Sequence, residues 1–362
     1  MRIATMVTAR IVTPQPLGVT YAPIDIAITV SEGLRDLGHT VDYFGPEGSH
    51  LGVPVITCGI EPFPRNEEGA YVYPNAPDQE VTLNRIWDEY LICEMIKRAN
   101  NGEYDVLLIH PVDCGIIPGR ILPNVQIVYT LHDPIFPWRA DIFRRFLTPN
   151  QHLVSITDAQ RQLAPDLPYL ATVYNGIDVD TFTYVENPSD YVMFAGRMVA
   201  EKNPSAAIEA ARLAGVPINL FGQIPTGNDS KYFNESVKPL INDNDIKYCG
   251  FVNRSELARE YGNAKALLAP IVWEEPFGLV FTEAMACGTP VIAFRHGSVP
   301  EIIVDGVTGF IVDTVEEMAE AIKKIDTIDR KACREHVINK FSNQCMINGY
   351  NEALKHIYDN QN

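Results

Sequence analysis

Two basic residues stand five positions apart directly after a short apolar run, a placement suited to binding an anionic group. The run Tyr191–Ala195 predicts a strand, and Gly196, Arg197 and Lys202 follow it. In open parallel sheets, ligands bind beyond the carboxyl ends of the strands. Positive charge fixed at such an edge can stabilise a departing diphosphate where no metal ion does so. By themselves, the two cations fit a solvated helix start equally well.

A second stretch, residues 273–286 (WEEPFGLVFTEAMA), places two carboxylates on either side of a predicted tight turn. Pro276 and Gly278 shape this turn into a helix, whose first N–H groups would form an anion site. We expect Glu283 in the first helical turn, where the helix dipole favours its charge and a ribose diol could bind. Glu275 is separated from Glu283 by seven residues and would project into the same pocket. A capped helix with two incidental acids is the alternative.

One histidine follows a predicted strand. His132 ends the apolar run Ile127–Leu131 and precedes Asp133 and Pro134, which predicts a position at the carboxyl edge of a sheet. From the residues alone, a packing role for His132 stays open beside a role in a site. The other seven histidines of the chain have no comparable context.

These residues need a scaffold that brings strand ends together, and the sequence predicts an α/β one. Short apolar runs alternate with helical patterns, which indicates parallel sheets with helices on their faces. The first series has predicted strands at Arg2–Thr8, Val41–Phe44, Asp105–Ile109, Ile127–Leu131 and Leu153–Ile156. The rhythm restarts at Tyr191–Ala195, after the polar stretch 185–190. We therefore expect two doubly wound Rossmann-like domains, residues 1–175 and 176–342, that face each other across a cleft.

A last helix, residues 343–358, is predicted with no strand after it. Its apolar residues recur at three- and four-residue steps, so that one face requires burial; they are Met346, Ile347, Tyr350, Leu354, Ile357 and Tyr358. We expect residues 343–362 to leave the second domain and pack against the N-terminal one.

Composition limits the classes of partner. The 362 residues carry a net charge of −17, and 46% of them are hydrophobic, as in ordinary globular chains. At roughly 150 residues per domain, this length predicts about two domains. The acidic balance disfavours nucleic acid and anionic lipid. No uninterrupted apolar run reaches the ~18 residues of a membrane span.

The cysteines and the first residues indicate a compartment. None of the seven cysteines forms a CxxC pair, so neither a disulfide framework nor a zinc cluster is expected. Arg2 and Arg10 interrupt any signal-peptide core. Both observations favour the reducing cytoplasm.

Three further stretches allow more than one interpretation. Residues 59–80 lack periodicity and form either a functional loop or a surface insertion. Residues 138–146 (WRADIFRRF) hold three arginines that could bind an anionic acceptor or touch a membrane peripherally, although an amphipathic helix face explains them as well. Two Asp-x-Asp triplets, at 178–180 and 243–245, would suit a metal-dependent transferase, yet such triplets arise by chance in an acidic chain.

Several of these motifs together resemble retaining glycosyltransferases of the GT-B fold, specifically glycosyltransferase family 4. The similarity rests on the Glu-x7-Glu pair, the run G-R-x-x-x-E-K at 196–202 and the segment 284–312 (AMACGTPVIAF…GSVPEIIVDGVTGFIV), all in order and spacing. The stretches YNGID at 174–178 and YCGFV at 248–252 also resemble landmarks of the family. The resemblance covers residues 174–325 well and the N-terminal half loosely.

The resemblance implies roles for residues of the C-terminal half. Arg197 and Lys202 would hold the donor diphosphate, with help from the backbone N–H groups of Phe277, Gly278 and Leu279. Glu275 would bind hydroxyls of the donor sugar, and Glu283 would bind the ribose. Val252 would lie against the base.

In the N-terminal half, the resemblance implies two contacts. Gly18, in the loop TPQPLG, would let the backbone approach the donor phosphate, and His132 would contact the donor sugar near the reacting carbon. The family usually has two adjacent glycines in this loop, whereas Val19 follows Gly18 here. Domain closure would bring both residues toward the donor.

The expected activity is the transfer of a hexose from a UDP- or GDP-sugar to an acceptor hydroxyl, with retention of configuration and without a metal ion or other cofactor. No side chain is clearly placed as a nucleophile, so front-face attack is expected. The partners would be the nucleotide-sugar donor and a carbohydrate, lipid or small-molecule acceptor. Three alternatives stay open: a metal-dependent Asp-x-Asp transferase, a nucleotide-sugar 2-epimerase of the same fold, and a non-catalytic nucleotide-sugar-binding protein.

Overall fold

The computed structural model describes residues 1–16, 21–63, 77–225 and 230–359, with backbone alone for 77–83. Gly18 and most of the segment 59–80 lie outside these residues, so the predictions made for them are not addressed by the structure. The chain divides into two compact units. Unit 1 comprises Met1–Ile156, Arg161–Tyr174 and Met346–Asn362, and unit 2 comprises Thr157–Gln160 and Asn175–Cys345.

In the described part of unit 1, seven parallel strands form one sheet in the order β3-β2-β1-β4-β5-β6-β7. The central strand, β4, is apolar throughout because helices cover both faces of a parallel sheet. The order reverses between β1 and β4, which defines a switch point at their carboxyl ends. The strands are β1 Arg2–Met6, β2 Thr40–Phe44, β3 Val55–Ile56, β4 Val106–Ile109, β5 Gln126–Thr130, β6 Gln151–Ser155 and β7 Tyr169–Thr172.

The helices that connect these strands begin and end at recognisable residues. The first, Ala22–Asp36, has a proline in its first turn, and Gly38 follows it with φ +90°, a backbone conformation that glycine adopts without strain. The helices up to the second sheet are α1 Ala22–Asp36, α2 Pro77–Asn100, α3 Val112–Gly119, α4 Pro137–Phe146 and α5 Asp158–Gln162. None of the described helices is long and apolar enough to cross a membrane.

Unit 2 repeats this architecture around a six-stranded parallel sheet of order β10-β9-β8-β11-β12-β13 in its described part. Its switch point lies between β8 and β11. The strands are β8 Val192–Ala195, β9 Ile218–Phe221, β10 Ile246–Gly250, β11 Leu267–Ala269, β12 Val291–Phe294 and β13 Gly309–Val312. The helices are α6 Pro204–Ala214, α7 Arg254–Asn263, α8 Leu279–Ala286, α9 Val299–Ile302, α10 Val315–Lys323 and α11 Arg330–Lys340.

The fold class expected from the sequence, α/β with two doubly wound parallel sheets, is confirmed. The unit boundaries differ from the expected ones by a few residues. Asn175 groups with unit 2, as do residues 343–345 at the start of the last helix. The sequence also gave no indication that residues 157–160 group with unit 2.

The last helix, α12 (Asn343–Asp359), buries its apolar face in the core of unit 1. Tyr350 is fully buried, and its hydroxyl lies 2.9 Å from that of Thr130 in β5. Gly33 of α1 lets the two helices approach closely, since a Cβ at this position would collide with Ile347. The face consists of Met346, Tyr350, Ala353, Leu354 and Ile357.

Removing one side chain from this face tests its contribution to unit 1. Leu354 is fully buried among core residues, so Leu354→Ala should lower the free energy of unfolding by about 2–5 kcal/mol through lost burial and the cavity left behind. Lys355→Ala, at the exposed neighbouring position, is the matched control and should change it by about 0.5 kcal/mol or less. Urea denaturation followed by circular dichroism measures both. Equal stabilities would contradict the packing described.

Candidate functional site

The switch point of unit 2 brings together the loops that follow β8 and β11, and these loops hold most of the residues singled out from the sequence. Arg197 lies in the first loop, is exposed, and pairs with Glu201 at 2.8 Å. Backbone contacts with β9 and the residue after it hold this loop in place. The N–H of Gly196 donates to Phe221 of β9, and a Cβ on Gly222 would collide with the carbonyl of Gly196.

Lys202 and Glu275 form a direct ion pair between Nζ and Oε2, linking the two loops. The indole N–H of Trp273 donates to the same carboxylate oxygen at 3.0 Å, and Nζ of Lys202 lies 4.9 Å from the centroid of the Trp273 ring. Glu275 is only 9% exposed. A buried carboxylate is costly unless it is paired and hydrogen-bonded, and here both conditions are met.

Sequence reasoning missed Trp273. The signal available was an aromatic residue two positions before Glu275, in a loop that follows a buried strand. That spacing alone does not tell whether the indole faces the carboxylate or the solvent, so only the structure identifies the contact.

The turn into α8 presents unpaired backbone donors. Gly278 precedes the helix with φ +82°, a conformation that favours glycine. Within the described part of the chain, neither the N–H of Gly278 nor that of Leu279 donates to another residue. Phe277 is 2% exposed and packs edge-to-face on Phe341, which anchors the turn. Two free N–H groups at a helix start are suited to binding an anion.

The loop after β12 determines where Glu275 lies. The N–H of Ser298 donates to the carbonyl of Glu275 at 2.9 Å, and its hydroxyl donates to the carbonyl of Phe277 at 2.7 Å. The N–H of Gly297 donates to the Glu274 carboxylate at 2.8 Å. Gly297 has φ +51°, and a Cβ there would lie 2.5 Å from the backbone nitrogen of Glu275. These loops therefore touch backbone to backbone, which the sequence did not reveal.

Glu283 lies in the second turn of α8, as the fifth helical residue, so the expectation of a first-turn position is wrong. The helix begins at Leu279, directly after Gly278 in the left-handed conformation, so four helical residues precede Glu283. Instead of the helix dipole, side chains support this carboxylate. The Tyr261 hydroxyl donates to it at 3.2 Å, and the Arg254 guanidinium lies 4.0 Å away. Burial, together with the nearby Glu283, raises the pKa of Tyr261 well above its usual value.

Val252 follows β10, the edge strand of the unit 2 sheet, and is partly buried. The two Asp-x-Asp triplets serve local turns. The Asp178 carboxylate accepts the N–H of Asp180 at 3.1 Å, and Asp243 has φ +57° in the turn before β10. Within the described ranges, no cluster of three or more His, Cys, Asp or Glu side chains could hold a metal ion.

His132, just beyond β5, and a second histidine lie beside the switch point of unit 1. Nδ1 of His110, which directly follows β4, lies 2.7 Å from Nε2 of His132, and the rings stack with 10° between their planes. Burial, aided by the Arg139 guanidinium, lowers the pKa of His132 to about 4. Burial and His132 lower the pKa of His110 well below its usual value.

The expectation that no other histidine shares the context of His132 is therefore wrong. His110 ends the apolar run 106–109, just as His132 ends its own run, and this parallel was the signal that could have identified it. Parallel pairing of β4 with β5 aligns the ends of the two strands and brings the rings together.

The arginine-rich stretch 138–146 forms α4, and acidic partners compensate two of its arginines. Arg139 is 7% exposed and makes two 3.2 Å bonds to Asp113. Arg144 binds Asp166 and Asp141 at 2.7–2.8 Å. These pairs support the interpretation as an amphipathic helix face.

Backbone contact at Gly297 can be tested by adding one methyl group. Gly297→Ala should destabilise the protein by about 2–4 kcal/mol, because both the φ angle and the collision with Glu275 oppose it. Gly306→Ala is the matched control, since Gly306 has φ +73° with nothing within 4 Å, and only the backbone strain of about 1 kcal/mol applies. Thermal unfolding of both variants measures the difference. Similar losses in the two would show that the loops are not in contact.

Comparison with known proteins adds the following findings. Residues 183–340 match the family model of glycosyl transferases group 1. A D-inositol 3-phosphate glycosyltransferase from Arthrobacter sp. (strain FB24) is 30% identical over 260 residues, which cover 60% of this chain and 60% of the relative. An uncharacterised 41.2 kDa protein in the cps region of Klebsiella pneumoniae is 25% identical over 306 residues, with coverage of 73% and 82%, respectively.

Solved structures share the fold at low identity. Anabaena Alr3699/HepE in complex with UDP has a TM-score of 0.71 at 19% identity, with coverage of 98% of this chain and 100% of that one. Sucrose-phosphate synthase from Thermosynechococcus elongatus has a TM-score of 0.75 at 17% identity, with coverage of 99% and 100%. The expected fold is thereby confirmed, and residues 183–340 are similar to glycosyl transferases group 1, while the assignment to family 4 and the residue roles stay predictions.

Proposed function

We propose that this chain, which carries a glycosyl transferases group 1 domain over residues 183–340, transfers a hexose from a nucleoside diphosphate sugar to an acceptor hydroxyl. The observation that carries the proposal is the cluster at the switch point of unit 2. There, a cation, a buried carboxylate and the open N-terminus of a helix adjoin one another. Such a cluster provides groups for a diphosphate and for sugar hydroxyls within a few residues.

The diphosphate would bind at Lys202 and at the N–H groups of Gly278 and Leu279. Only about a fifth of the Lys202 side chain is exposed, so its charge is screened less than that of a surface lysine. Arg197, on the exposed rim, would add a second cation once it leaves Glu201. Charges and dipoles already oriented in this way stabilise the negative charge that develops on a leaving diphosphate.

Glu275 would bind the sugar. Lys202 and Trp273 both bond to Oε2, so Oε1 remains available to accept hydrogen bonds from sugar hydroxyls. The nucleoside would lie toward Glu283 and Val252, with the ribose diol donating to the carboxylate that Tyr261 already holds. Binding of the sugar and ribose hydroxyls in this way needs only hydrogen-bond acceptors, which carboxylate oxygens provide.

The reaction exchanges one bond at the anomeric carbon. The bond to the diphosphate oxygen breaks, and the acceptor oxygen attacks from the same face, so the configuration is retained. The hydroxyl proton moves to the departing phosphate oxygen, which becomes basic as the bond breaks. The proposal needs no metal ion because Lys202, Arg197 and the helix N-terminus supply the positive field.

A panel of donors tests the function directly. Ligands that bind only the folded state raise its melting temperature, so UDP-, GDP- and ADP-sugars are compared by thermal shift, with UDP and GDP as controls. The donor that binds is then offered to carbohydrate, lipid and small-molecule acceptors. Transfer supports the proposal. Release of a 2-epimerised sugar from donor alone would favour an epimerase, and binding without either reaction would favour a sensor.

Metal independence gives a separate prediction. EDTA should leave the rate of transfer within about twofold of the untreated enzyme, because fixed cations rather than a divalent ion neutralise the leaving group. The measurement is the initial rate with and without EDTA, followed by addition of Mn²⁺ or Mg²⁺. Complete loss with EDTA and rescue by Mn²⁺ would instead support an Asp-x-Asp mechanism.

The two cations give the next prediction. Lys202→Ala or Arg197→Ala should lower kcat by about 10²-fold or more, the scale for losing one preorganised electrostatic contact. Arg212→Ala is the matched control, since Arg212 is an exposed arginine of the same unit that pairs with Glu209, and its loss should leave kcat unchanged. Turnover near wild type in both test variants would refute the assignment.

The two glutamates should separate sugar from nucleotide. Glu283→Ala should weaken binding of the free nucleoside diphosphate about tenfold, since a carboxylate bonded to the ribose is lost. Glu275→Gln should keep that affinity at least at the wild-type level while lowering kcat. Lys202 loses a charged partner, and the amide oxygen that bonds Lys202 and Trp273 leaves an NH2 group where the sugar needs an acceptor. Isothermal titration and steady-state kinetics measure the two effects. Equal losses of nucleotide affinity would show that the roles are misassigned.

A further inference from the structure

The imidazole of His110 is held rigidly at the switch point of unit 1. Its backbone N–H donates to the carbonyl of Met6 in β1 at 3.0 Å, and its own carbonyl accepts the N–H of Val112 at 2.9 Å. His110 is only 6% exposed. Because both backbone groups are bonded and the ring is enclosed, its Nδ1 atom has little freedom relative to Nε2 of His132, 2.7 Å away.

The surroundings keep this pair neutral. The guanidinium of Arg139, from α4, opposes a proton on His132. Asp113 of α3 and Asp133 both pair with that guanidinium, and both carboxylates are largely exposed, so that solvent screens their charges. Burial lowers the pKa of His110 most, and among the described residues the titratable neighbour that lowers it further is His132. With both rings neutral, the bond between them contains a single hydrogen, which belongs to one ring or the other.

The unpaired nitrogen of His110 indicates which ring donates. Its Nε2 is buried and has no hydrogen-bond partner among the described residues. If His132 donated, His110 would have to carry its hydrogen on this Nε2, which would leave a buried N–H without an acceptor. Orphaned buried N–H groups are rarer in proteins than unfilled acceptors. Of the two tautomers, the one with the hydrogen on Nδ1 of His110 is therefore lower in free energy.

We propose that His110 is the positioning residue of His132, donating from its Nδ1 to Nε2 of His132 and thereby fixing His132 as a hydrogen-bond donor through its own Nδ1. In this state, both nitrogens of His132 are assigned, one accepting from His110 and one carrying a hydrogen. His132 then has no lone pair with which to abstract the proton of an acceptor hydroxyl. It donates instead to a substrate oxygen, which leaves the proton to the departing phosphate.

This inference rests on the proposed function for its role in transfer, whereas the tautomer can be measured without activity. The full chain labelled with ¹⁵N-histidine is observed by long-range ¹H–¹⁵N correlation, and His132→Asn identifies the signals of His132. The expected result is the Nδ1–H tautomer for His132, unchanged between about pH 6 and 8. An Nε2–H tautomer for His132 in the wild-type chain would overturn the proposal, even if no variant of His110 folded.

Variants then test the role of His110. His110→Phe keeps a buried ring but lacks the donor, so His132 should show mixed tautomers and kcat should fall about tenfold or more, with the KM for donor within twofold. His110→Asn retains an amide donor and should restore the tautomer and part of kcat. His152→Phe is the control, since His152 bonds Gln126 in the same sheet and its loss should change neither readout.

Two outcomes separate the inference from the function on which it rests. An unchanged tautomer and kcat in His110→Phe would refute the positioning role. A wild-type chain with the expected tautomer but no transfer to any acceptor would refute the proposed function and leave the imidazole pair as described.

Discussion

The ion pair between Lys202 and Glu275 is the interaction on which the candidate site depends. Both groups are largely withdrawn from water, and removing either one leaves the desolvation cost of the other uncompensated. The loops after β8 and β11 must therefore hold the two side chains within ion-pair distance of each other. The switch point of the sheet brings the two loops together, and the loop after β12 holds Glu275 through the backbone of Gly297 and Ser298.

The same pair also occupies the ammonium group of Lys202. Without an anion, the ammonium is compensated by Glu275 and covered by the Trp273 ring. Under the proposed function, a diphosphate would compete with this carboxylate for Lys202, while the sugar would bind the oxygen that Lys202 and Trp273 do not use. One carboxylate would then link recognition of the diphosphate to recognition of the sugar.

Much of the fold was readable from the sequence. The alternation of apolar runs and helical patterns predicted both parallel sheets, because the 2-residue and 3.6-residue periods are local properties. The candidate residues Arg197, Lys202 and Glu275 do lie in loops that follow strands, as the sequence predicted. Glu283 was placed one turn too early, because a helix that starts directly after Gly278 already has four residues before Glu283.

Contacts between distant segments were the part that local patterns could not supply. Trp273, Gly297 and His110 matter through atoms brought to them by other strands, and one sequence gives no measure of such proximity. Of these three residues, His110 carried the clearest signal in the sequence, because like His132 it directly follows an apolar run. What joins the two rings is the pairing of β4 with β5, which becomes visible only when the strand order is known.

The return of the chain to unit 1 in α12 has a consequence for synthesis on the ribosome. Chains emerge N-terminus first, and domains generally fold as units. Unit 2 is continuous from Asn175 to Cys345 apart from residues 157–160 and can collapse once Cys345 has emerged, whereas the core of unit 1 still lacks Met346, Tyr350 and Leu354. The half translated first is therefore the half completed last, and until then the groove that receives α12 remains an exposed apolar surface for chaperones to cover.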